Sequence, residues 1–191
     1  MTGNDLSKFL ADSGDDKIIL EFGSGGSTLL LAGTCRLIIS VESDRHFLIQ
    51  VKSELYAKGL QDKGRIYWAD IGPTKTYGQP FATMRKLFEK RYRLYALGVF
   101  ESFPETKNSD IVFVDGRFRV ACVMSSLLHI NRNFLLVVDD FFGRTYYKDI
   151  IKVLGNPSSR ISNAAIFDVD RRTIDFELAQ QILDSYFCDP R

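Results

Sequence analysis

The residues best suited to chemistry are a glycine-rich turn and the acidic residue in front of it. Glu21 is followed by Phe22 and then by the run Gly23-Ser24-Gly25-Gly26-Ser27. Glycine has no Cβ, so the backbone N–H groups of such a turn can closely approach a ligand. A helix that begins in the apolar run 29–32 would add partial positive charge at the same place. We therefore predict a cradle for a nucleotide or another cofactor at this turn.

Acidic residues also stand at the ends of the predicted strands. Short apolar runs predict five strands, at residues 17–22, 36–41, 65–69, 110–114 and 133–138. They end in or are followed by Glu21, Glu42, Asp70, Asp115, and Asp139 with Asp140. Ligands of parallel sheets bind at the carboxyl ends of the strands. Carboxylates at one edge repel each other, so we expect a ligand or a basic side chain to hydrogen-bond or neutralise them.

The alternation of these strands with amphipathic segments predicts the fold class. Ser43 or Asp44 can cap a helix whose Phe47, Leu48, Val51 and Leu55 share one face, and Gly59 is a plausible stop. Further helices are predicted at residues 120–130, 146–154 and 173–187, and a late strand at 163–169. Continuous apolar strands separated by helices indicate an α/β protein with a Rossmann-like, doubly wound, mostly parallel sheet and helices on both faces. The 191 residues suit one domain, spanning 1–191.

Residues 72–108 do not fit this alternation. They combine basic side chains with aromatic and apolar ones at helical spacing: Phe81, Met84, Phe88, Tyr92 and Tyr95. We expect an amphipathic helix that forms an insertion or lid after the third strand. The alternative is a surface helix that packs its aromatic face on the domain. An aromatic insertion could also provide the face of a homodimer.

The spacing of the glycines excludes two common phosphate cradles. No Gly-Lys-Ser/Thr follows the turn, so it is not a P-loop. The glycines also depart from the dinucleotide pattern G-x-G-x-x-G, and Glu21 stands directly before the turn. A dinucleotide oxidoreductase is thus a disfavoured alternative. An acidic rim suits a cationic cofactor better than a phosphate.

At this point the chain resembles the class I S-adenosylmethionine-dependent methyltransferases over roughly residues 17–170. The matching segments are residues 21–27, Val41-Glu42-Ser43-Asp44, Ala69-Asp70 and Val114-Asp115-Gly116. The segment Phe-Val-Asp-Gly-Arg-Phe-Arg at 113–119 is similar to a branch of small bacterial methyltransferase-like proteins. A more distant likeness is to the O-methyltransferases of the caffeoyl-coenzyme-A and catechol type.

The resemblance implies S-adenosylmethionine as the cofactor and assigns roles to individual residues. The implied cofactor-binding residues are Glu21, Gly23, Ser24, Gly25, Gly26, Ser27, Glu42, Ser43, Asp70, Ile71 and Asp115. Glu42 would accept hydrogen bonds from both ribose hydroxyls, whereas Asp70 would accept one from the adenine amino group beside Ile71. Glu21 would orient the glycine turn or hold the cofactor's amino group through water. The alternatives are a solvated strand end for Glu42 and a turn cap for Asp70.

The resemblance also implies methyl transfer to a small acceptor, with Asp115, Arg117 and Asp140 as catalytic residues. Arg117 and Arg119 suggest an anionic acceptor, and O-methylation is the expected reaction. The catechol-type enzymes bind a divalent metal at matching positions, and the metal alternative here would use Asp115, Asp139 and Asp140. Because this chain departs from that metal pattern, we expect Arg117 to pair with Asp115 or Asp140 instead. A methyltransferase-like cofactor-binding or accessory protein without catalytic activity is the alternative function.

Composition restricts the partners and the location. The net charge of +1 makes nucleic acid an unlikely partner, and no apolar run is long enough to span a bilayer. The N-terminal residues show no secretory signal, and three scattered cysteines, Cys35, Cys122 and Cys188, form no disulfide framework. We therefore expect a cytoplasmic protein that acts on a small molecule.

Overall fold

The computed structural model describes residues 3–81, 83 and 85–191, and seven strands of this described part form a single sheet. They are β1 (Ile18–Phe22), β2 (Leu37–Glu42), β3 (Gly64–Trp68), β4 (Ile111–Val114), β5 (Phe134–Val138), β6 (Ser159–Ile161) and β7 (Ala164–Val169). Their order across the sheet is β3-β2-β1-β4-β5-β7-β6. Neighbouring strands from β3 to β5 are parallel, and β7 runs antiparallel to β5 and to β6.

Helices cover both faces of the sheet. They are α1 (Gly3–Ser13), α2 (Gly26–Thr34), α3 (Arg45–Ala57), α4 (Arg85–Ser102), α5 (Arg119–His129), α6 (Lys148–Leu154) and α7 (Phe176–Tyr186). Apolar residues of α1, α2 and α3 form one core with side chains such as Ile19 and Ile38. The remaining helices form a second core on the opposite face, around Leu20 and Ile39. The predicted doubly wound, mostly parallel α/β fold is therefore confirmed.

The central strands β1, β2, β4 and β5 form where the sequence is mostly apolar. All six residues of β2 and all four of β4 are buried, because helices cover both faces of a parallel sheet. The first helix after β2 begins as predicted: the Asp44 side chain accepts hydrogen bonds from the N–H groups of His46 and Phe47, at 3.0 and 3.1 Å. In the part of the chain that the structure describes, no helix has the length and apolar content needed to cross a bilayer.

The segment 72–108 contains the crossover helix from β3 to β4. Tyr92 and Tyr95 of α4 are only 3% and 1% exposed and pack in the main core. This agrees with the alternative of a helix that packs its aromatic face on the domain. Phe88 is partly buried against the same core, and Met84 lies outside the described residues. The roles of residues 72–108 as a lid or as a homodimer face stay predictions.

The strand order locates the crevice in which a ligand can bind. The chain moves outwards from β1 to β2 and β3, and then returns to place β4 on the other side of β1. Connections that leave neighbouring strands in opposite directions open a crevice at their carboxyl ends. The turns that follow β1 and β4 therefore form the floor of the site.

Candidate functional site

The floor of the site is a contact between two glycines. Gly23 follows β1 with a φ of +104°, and a Cβ there would lie 2.7 Å from the backbone N and Cα of Gly116. A Cβ on Gly116 would in turn lie 2.1 Å from the Tyr95 hydroxyl oxygen and 2.9 Å from the backbone N of Gly23. Real Cβ atoms do not approach so closely. The turns after β1 and β4 can therefore meet only because both positions are glycine.

A first cavity of about 440 Å³ opens above this floor on the β2 side. Its lining comes from the two turns, the end of β2, the start of α3 and the loop at 74–80. The lining residues are Gly23, Ser24, Glu42, Ser43, Asp44, Phe47, Thr76, Tyr77, Tyr95, Asp115, Gly116, Arg117 and Arg119. The cavity thus contains four of the predicted cofactor residues from the β1 and β2 turns, together with Asp115 and Arg117.

The carboxylate of Glu42 lines the first cavity, and most of its acceptor positions already receive hydrogen bonds from the protein. Oε1 accepts hydrogen bonds from the backbone N–H groups of Ser43 and Asp44 at 2.7 and 2.8 Å, and Oε2 accepts one from the Ser24 hydroxyl at 2.9 Å. A carboxylate has about four acceptor positions, so one remains for a ligand. Burial raises the pKa of Glu42, and the three hydrogen bonds oppose that rise. The side chain is 6% exposed, so it is not the solvated strand end of the alternative interpretation.

Glu21 is buried beneath the glycine turn and does not line the first cavity. Its carboxylate accepts hydrogen bonds from the hydroxyls of Ser27 and Thr28, both at 2.5 Å, and from the Ser40 hydroxyl. Thr28 Oγ1 also accepts the Gly25 N–H at 2.8 Å, which links Glu21 to the turn. The side chain is 0% exposed, and its contacts agree with the expected role of orienting the glycine turn. Burial raises the pKa of Glu21 to about 7, despite the three hydroxyl donors.

Gly25 and Gly26 leave open space in front of the turn. A Cβ at either position would meet no atom within 4 Å. These two glycines are therefore not required by the packing of the protein itself. Their backbone borders a volume that a ligand can fill, at the N-terminus of α2.

Asp70 and Ile71 lie outside the first cavity. The Asp70 carboxylate accepts the Gly72 N–H at 3.2 Å and pairs with Arg91 Nη1 at 2.8 Å. Ile71 is 1% exposed and belongs to the core beneath α4. This arrangement is the turn cap that the sequence allowed as the alternative for Asp70. It does not support the expected contacts of these two residues with an adenine ring.

A short loop at 74–80 closes the upper side of the first cavity. Two contacts attach it to the cavity walls: Arg117 Nε donates to the Tyr77 carbonyl at 3.0 Å, and the Ser43 hydroxyl donates to the Gly78 carbonyl at 3.4 Å. Tyr77 has a φ of +62° and an 83% exposed side chain. Opposite it, Phe47 is 39% exposed, although its helical periodicity predicts a place on the core face. The two aromatic rings form the outer walls of the cavity.

The predicted arginine–aspartate network exists, but Arg117 is not part of it. Arg119 Nη2 pairs with Asp115 Oδ1 at 3.0 Å, and Arg144 Nη2 pairs with Asp140 Oδ2 at 2.6 Å. The expectation that Arg117 pairs with Asp115 or Asp140 is therefore wrong. The reason is Phe118, whose φ of +53° breaks the alternation of the loop, so that Arg117 turns to the loop at 74–80 and Arg119 turns inwards.

Arg119 ties together the ends of β4 and β5. Besides Asp115, its buried guanidinium donates to the carbonyl oxygens of Gly116 at 2.9 Å, Asp115 at 3.0 Å and Asp139 at 2.5 Å. The side chain is 8% exposed. Its donors are committed to the protein's own oxygens, so Arg119 serves to hold the floor of the site rather than to bind an anion.

Asp115 stands where a second cavity adjoins the first. Loss of solvation raises its pKa to about 6, the charges of Asp139 and Asp140 add to the rise, and Arg119 and Arg117 oppose it. The side chain nevertheless remains 43% exposed at the open end of the crevice. Asp115 can therefore exchange a proton with a bound molecule near neutral pH.

The second cavity has a volume of about 420 Å³ and lies on the β5 side. It shares Gly23, Ser24 and Asp115 with the first cavity. Its other lining residues are Leu6, Ser7, Leu10, Gly25, Gly26, Ser27, Phe113, Asp139, Asp140, Ser162 and Asn163. The predicted catalytic residues are thus divided: Arg117 lines the first cavity, Asp140 the second, and Asp115 both.

Asp139 and Asp140 differ in their partners. Asp140 accepts a hydrogen bond from Asn163 at 3.3 Å and pairs with Arg144. Desolvation alone would raise the pKa of Asp140, but the hydrogen bond from Asn163 and the positive charges of Arg144 and Arg119 lower it overall. Asp139 accepts the Asp140 N–H at 2.8 Å and makes no ion pair with any described residue. Among the described residues, no three acidic, histidine or cysteine side chains are grouped so that they could hold a metal ion. The metal set of Asp115, Asp139 and Asp140 stays a prediction.

Several residues that line the first cavity were not assigned to the site from sequence, among them Phe47, Tyr77, Tyr95 and Gly116. Gly116 belongs to the quoted Val114-Asp115-Gly116 segment, but nothing in its type shows that it must touch Gly23. Tyr95 lies on the predicted aromatic face of α4, and its hydroxyl accepts the Arg117 N–H at 3.3 Å. The sequence placed this tyrosine in a helix, but only the fold brings that helix to the site.

The fold and the site together define a class: a doubly wound α/β protein with a ligand crevice at the carboxyl ends of β1, β2 and β4. A methyltransferase-like protein from Silicibacter pomeroyi DSS-3 is 32% identical to this chain, with a TM-score of 0.83 over 100% of this chain and 97% of that one. The chain therefore belongs to the class I S-adenosylmethionine-dependent methyltransferase superfamily, in the branch of methyltransferase-like proteins. No protein-family model and no curated protein sequence gives a significant match.

More distant solved structures share the fold alone. An RNA methyltransferase from Salinibacter ruber in complex with S-adenosyl-L-homocysteine is 14% identical, with a TM-score of 0.51 over 87% of this chain and 90% of that one. An O-methyltransferase from Bacillus cereus in complex with SAH is 16% identical, with a TM-score of 0.50 over 100% of this chain and 72% of that one.

Proposed function

We propose that this protein binds S-adenosylmethionine in the first cavity and transfers its methyl group to a small molecule in the second. The observation that carries the proposal is the shared wall of the two cavities. Gly23, Ser24 and Asp115 border both, so molecules in the two cavities would meet at this wall. When bound, S-adenosylmethionine supplies a methyl group on a positively charged sulfur, and a nucleophile displaces it to leave S-adenosylhomocysteine.

The residues of the first cavity fit this cofactor. The free acceptor position of Glu42 suits one ribose hydroxyl, and Ser24 Oγ can accept the second. Phe47 and Tyr77 offer aromatic faces for the adenine ring. Gly25 and Gly26 line the second cavity at the N-terminus of α2, and the open space there suits the cofactor's carboxylate. The methionine end of the cofactor would therefore extend past Gly23 and Ser24 into the second cavity. The carboxylate of Asp115 favours a positive sulfur over a phosphate.

We propose a small molecule as the methyl acceptor, and the contacts of the two arginines bear on whether it is negatively charged. The sequence suggests O-methylation of an anionic acceptor because of Arg117 and Arg119. In the structure Arg117 donates to the Tyr77 carbonyl, and Arg119 donates to Asp115 and to backbone carbonyls. Arg119 is committed to the protein's own oxygens and offers little to an anion. Arg117 lines the first cavity and not the second, where the acceptor would bind. We therefore keep a small acceptor and do not keep its negative charge.

Calorimetry with S-adenosylhomocysteine tests cofactor binding. We expect Glu42→Gln to weaken binding by about 2 kcal/mol, or roughly 30-fold, because one hydrogen bond to a charged acceptor is lost. The matched control is Asp70→Asn, which removes an acidic group outside the cavity and should change the dissociation constant less than about twofold. Equal losses in the two variants, or binding of NAD in place of S-adenosylhomocysteine, would contradict the proposal.

Turnover distinguishes an enzyme from a cofactor-binding accessory protein. The assay is the release of S-adenosylhomocysteine from S-adenosylmethionine in the presence of a panel of small hydroxyl and amino compounds. Stimulated release above the rate without an acceptor supports methyl transfer. Tight cofactor binding with no stimulation by any compound supports the accessory role.

A further inference from the structure

The loop at 74–80 is a small hairpin whose two ends are joined to each other. Thr74 and Pro80 pair as an antiparallel bridge. Inside this bridge, the Lys75 N–H donates a hydrogen bond to the Gln79 carbonyl at 2.7 Å. Because these contacts lie within the loop, they are kept when the loop changes its position relative to the rest of the protein. The loop can therefore move as one unit.

Few polar contacts hold this loop over the first cavity. Among the described residues, two hydrogen bonds attach it to the cavity walls, and both are accepted by its carbonyl oxygens. Arg117 Nε donates to the Tyr77 carbonyl at 3.0 Å, and the Ser43 hydroxyl donates to the Gly78 carbonyl at 3.4 Å. The arginine contact crosses the crevice, because Arg117 follows β4, the loop follows β3, and β1 and β2 lie between these strands.

Gly78 allows the loop to lie directly against the β2 side of the first cavity. Its φ is +67°, and a Cβ there would lie 2.5 Å from Ser43 Oγ and 3.5 Å from Glu42 Oε1. The observed position of the loop therefore requires glycine at residue 78. In this position the loop covers the Glu42 carboxylate, so a ligand bound to Glu42 can pass on this side only when the loop lifts.

We propose that the loop at 74–80 is a movable cover of the cofactor cavity, and that Arg117 is the positioning residue that holds it closed. The cover would lift to admit S-adenosylmethionine and to release S-adenosylhomocysteine. This proposal rests on the proposed function, since the cover acts on the same cavity. Arg117 acts through the Tyr77 carbonyl and not through the reacting atoms. The hydrogen bond joins two groups of the protein, so its strength determines how often the cover lifts.

A cover and a ligand contact have different kinetic signatures. When a cover is loosened, the ligand passes more often in both directions. The association and dissociation rate constants then rise together, and the dissociation constant changes little. When a contact with the ligand is lost, the rise is mainly in the dissociation rate constant. Tyr77→Ala, which removes a ring proposed to face the adenine, should show this second pattern and provides the comparison.

The test is surface plasmon resonance on the immobilised protein with S-adenosylhomocysteine as the probe. We expect Arg117→Ala to raise both rate constants about fivefold, as the loss of one ordinary hydrogen bond would give, and to change the dissociation constant less than about twofold. The control is Arg172→Ala, at an exposed arginine that lines neither cavity, which should leave both rate constants unchanged. A rise in the dissociation rate constant alone would show that Arg117 contacts the ligand, and it would overturn the proposal.

Gly78→Ala loosens the cover by a second route that keeps Arg117 and the Tyr77 side chain. The new Cβ would push the loop away from Ser43, so we expect both rate constants to rise here as well. The matched control is Gly59→Ala, because Gly59 has nearly the same φ of +68° but a Cβ there meets no atom within 4 Å. Unchanged rate constants in Gly78→Ala, or equal changes in the two alanine variants, would overturn the proposal.

The same measurement separates the cover from the proposed function. If S-adenosylhomocysteine binds to the wild-type protein and the rate constants of Arg117→Ala and Gly78→Ala equal those of the wild type, the cover is refuted and the proposed function stands. If S-adenosylhomocysteine does not bind to the wild-type protein, the proposed function fails, and the cover fails with it.

Discussion

Replacing Glu21 with glutamine should change how the stability of this protein depends on pH. Glu21 is 0% exposed and is surrounded by the hydroxyls of Ser27, Thr28 and Ser40. None of the groups that hydrogen-bond Glu21 carries a positive charge. Ionisation of this carboxyl group inside the protein is therefore costly. Glutamine has nearly the same shape, and the three hydroxyls can either donate to it or accept from it. The variant therefore removes the charge and keeps the packing.

The size of the effect follows from the pKa of Glu21, which burial raises from 4.5 to about 7. A raised pKa means that the folded protein holds the proton more tightly than the unfolded chain. The associated stability is present below pH 4.5 and is lost as the pH rises towards 7. The full loss is about 3 kcal/mol, and most of it falls between pH 5 and pH 8. The charge of Asp115 adds to the rise in the pKa of Glu21. The two carboxylates therefore titrate together, and Glu21→Gln also removes their mutual repulsion.

Urea unfolding of the wild type and of Glu21→Gln at several values between pH 5 and pH 8 measures this difference. We expect the variant to gain stability relative to the wild type by about 2 to 3 kcal/mol across this range. A stability difference between the two proteins that does not change with pH would refute the interpretation of Glu21 as a buried carboxylate without a positive partner. A wild type that gains stability relative to the variant as the pH rises would show that Glu21 has a positive partner.

The other predictions concern the floor of the site. Gly116→Ala should destabilise the protein by about 1 to 3 kcal/mol in urea unfolding, because its Cβ would meet the Tyr95 hydroxyl at 2.1 Å. Adding Tyr95→Phe should recover part of this loss. The control is Gly25→Ala, which lies in open space and should cost less than about 0.5 kcal/mol of stability. Equal stability of the two alanine variants would contradict the close contact between Gly116 and Tyr95. Arg119→Lys should cost about 2 kcal/mol or more, because a lysine cannot reproduce the several hydrogen bonds of the buried guanidinium. Arg117→Lys, which alters one exposed hydrogen bond, should cost less than about 0.5 kcal/mol, and the reverse order of the two lysine variants would contradict the assigned roles.

The fold could be predicted where local pattern and burial agree. The runs that became β1, β2, β4 and β5 are mostly apolar, since helices cover both of their faces, and their ends lie within one residue of the predicted ones. β6 could not be predicted, because Ser159–Ile161 has no apolar pattern and forms only by pairing with β7. The helix α1 was also missed, although Leu6 and Leu10 share one face. Its role is visible only when α2 and β1 complete the core around it.

The site could be predicted as a set of residues, but not as a set of contacts. A carboxylate at a strand end is visible in the sequence, and so is a glycine turn. The partner of each carboxylate is not visible, because it comes from a distant element: Asp70 pairs with Arg91, 21 residues later. The difference between Arg117 and Arg119 depends on one left-handed residue, Phe118, and a bulky aromatic residue gives no signal for that conformation.

A crystal structure of the protein with S-adenosylhomocysteine tests the central claim most directly. We expect the ribose at Glu42, the adenine ring between Phe47 and Tyr77, and the sulfur at the shared wall beside Asp115. We also expect Asp70 to keep its pairing with Arg91 and not to touch the ligand. A ligand bound elsewhere, or one whose sulfur faces away from the second cavity, would contradict the proposed site.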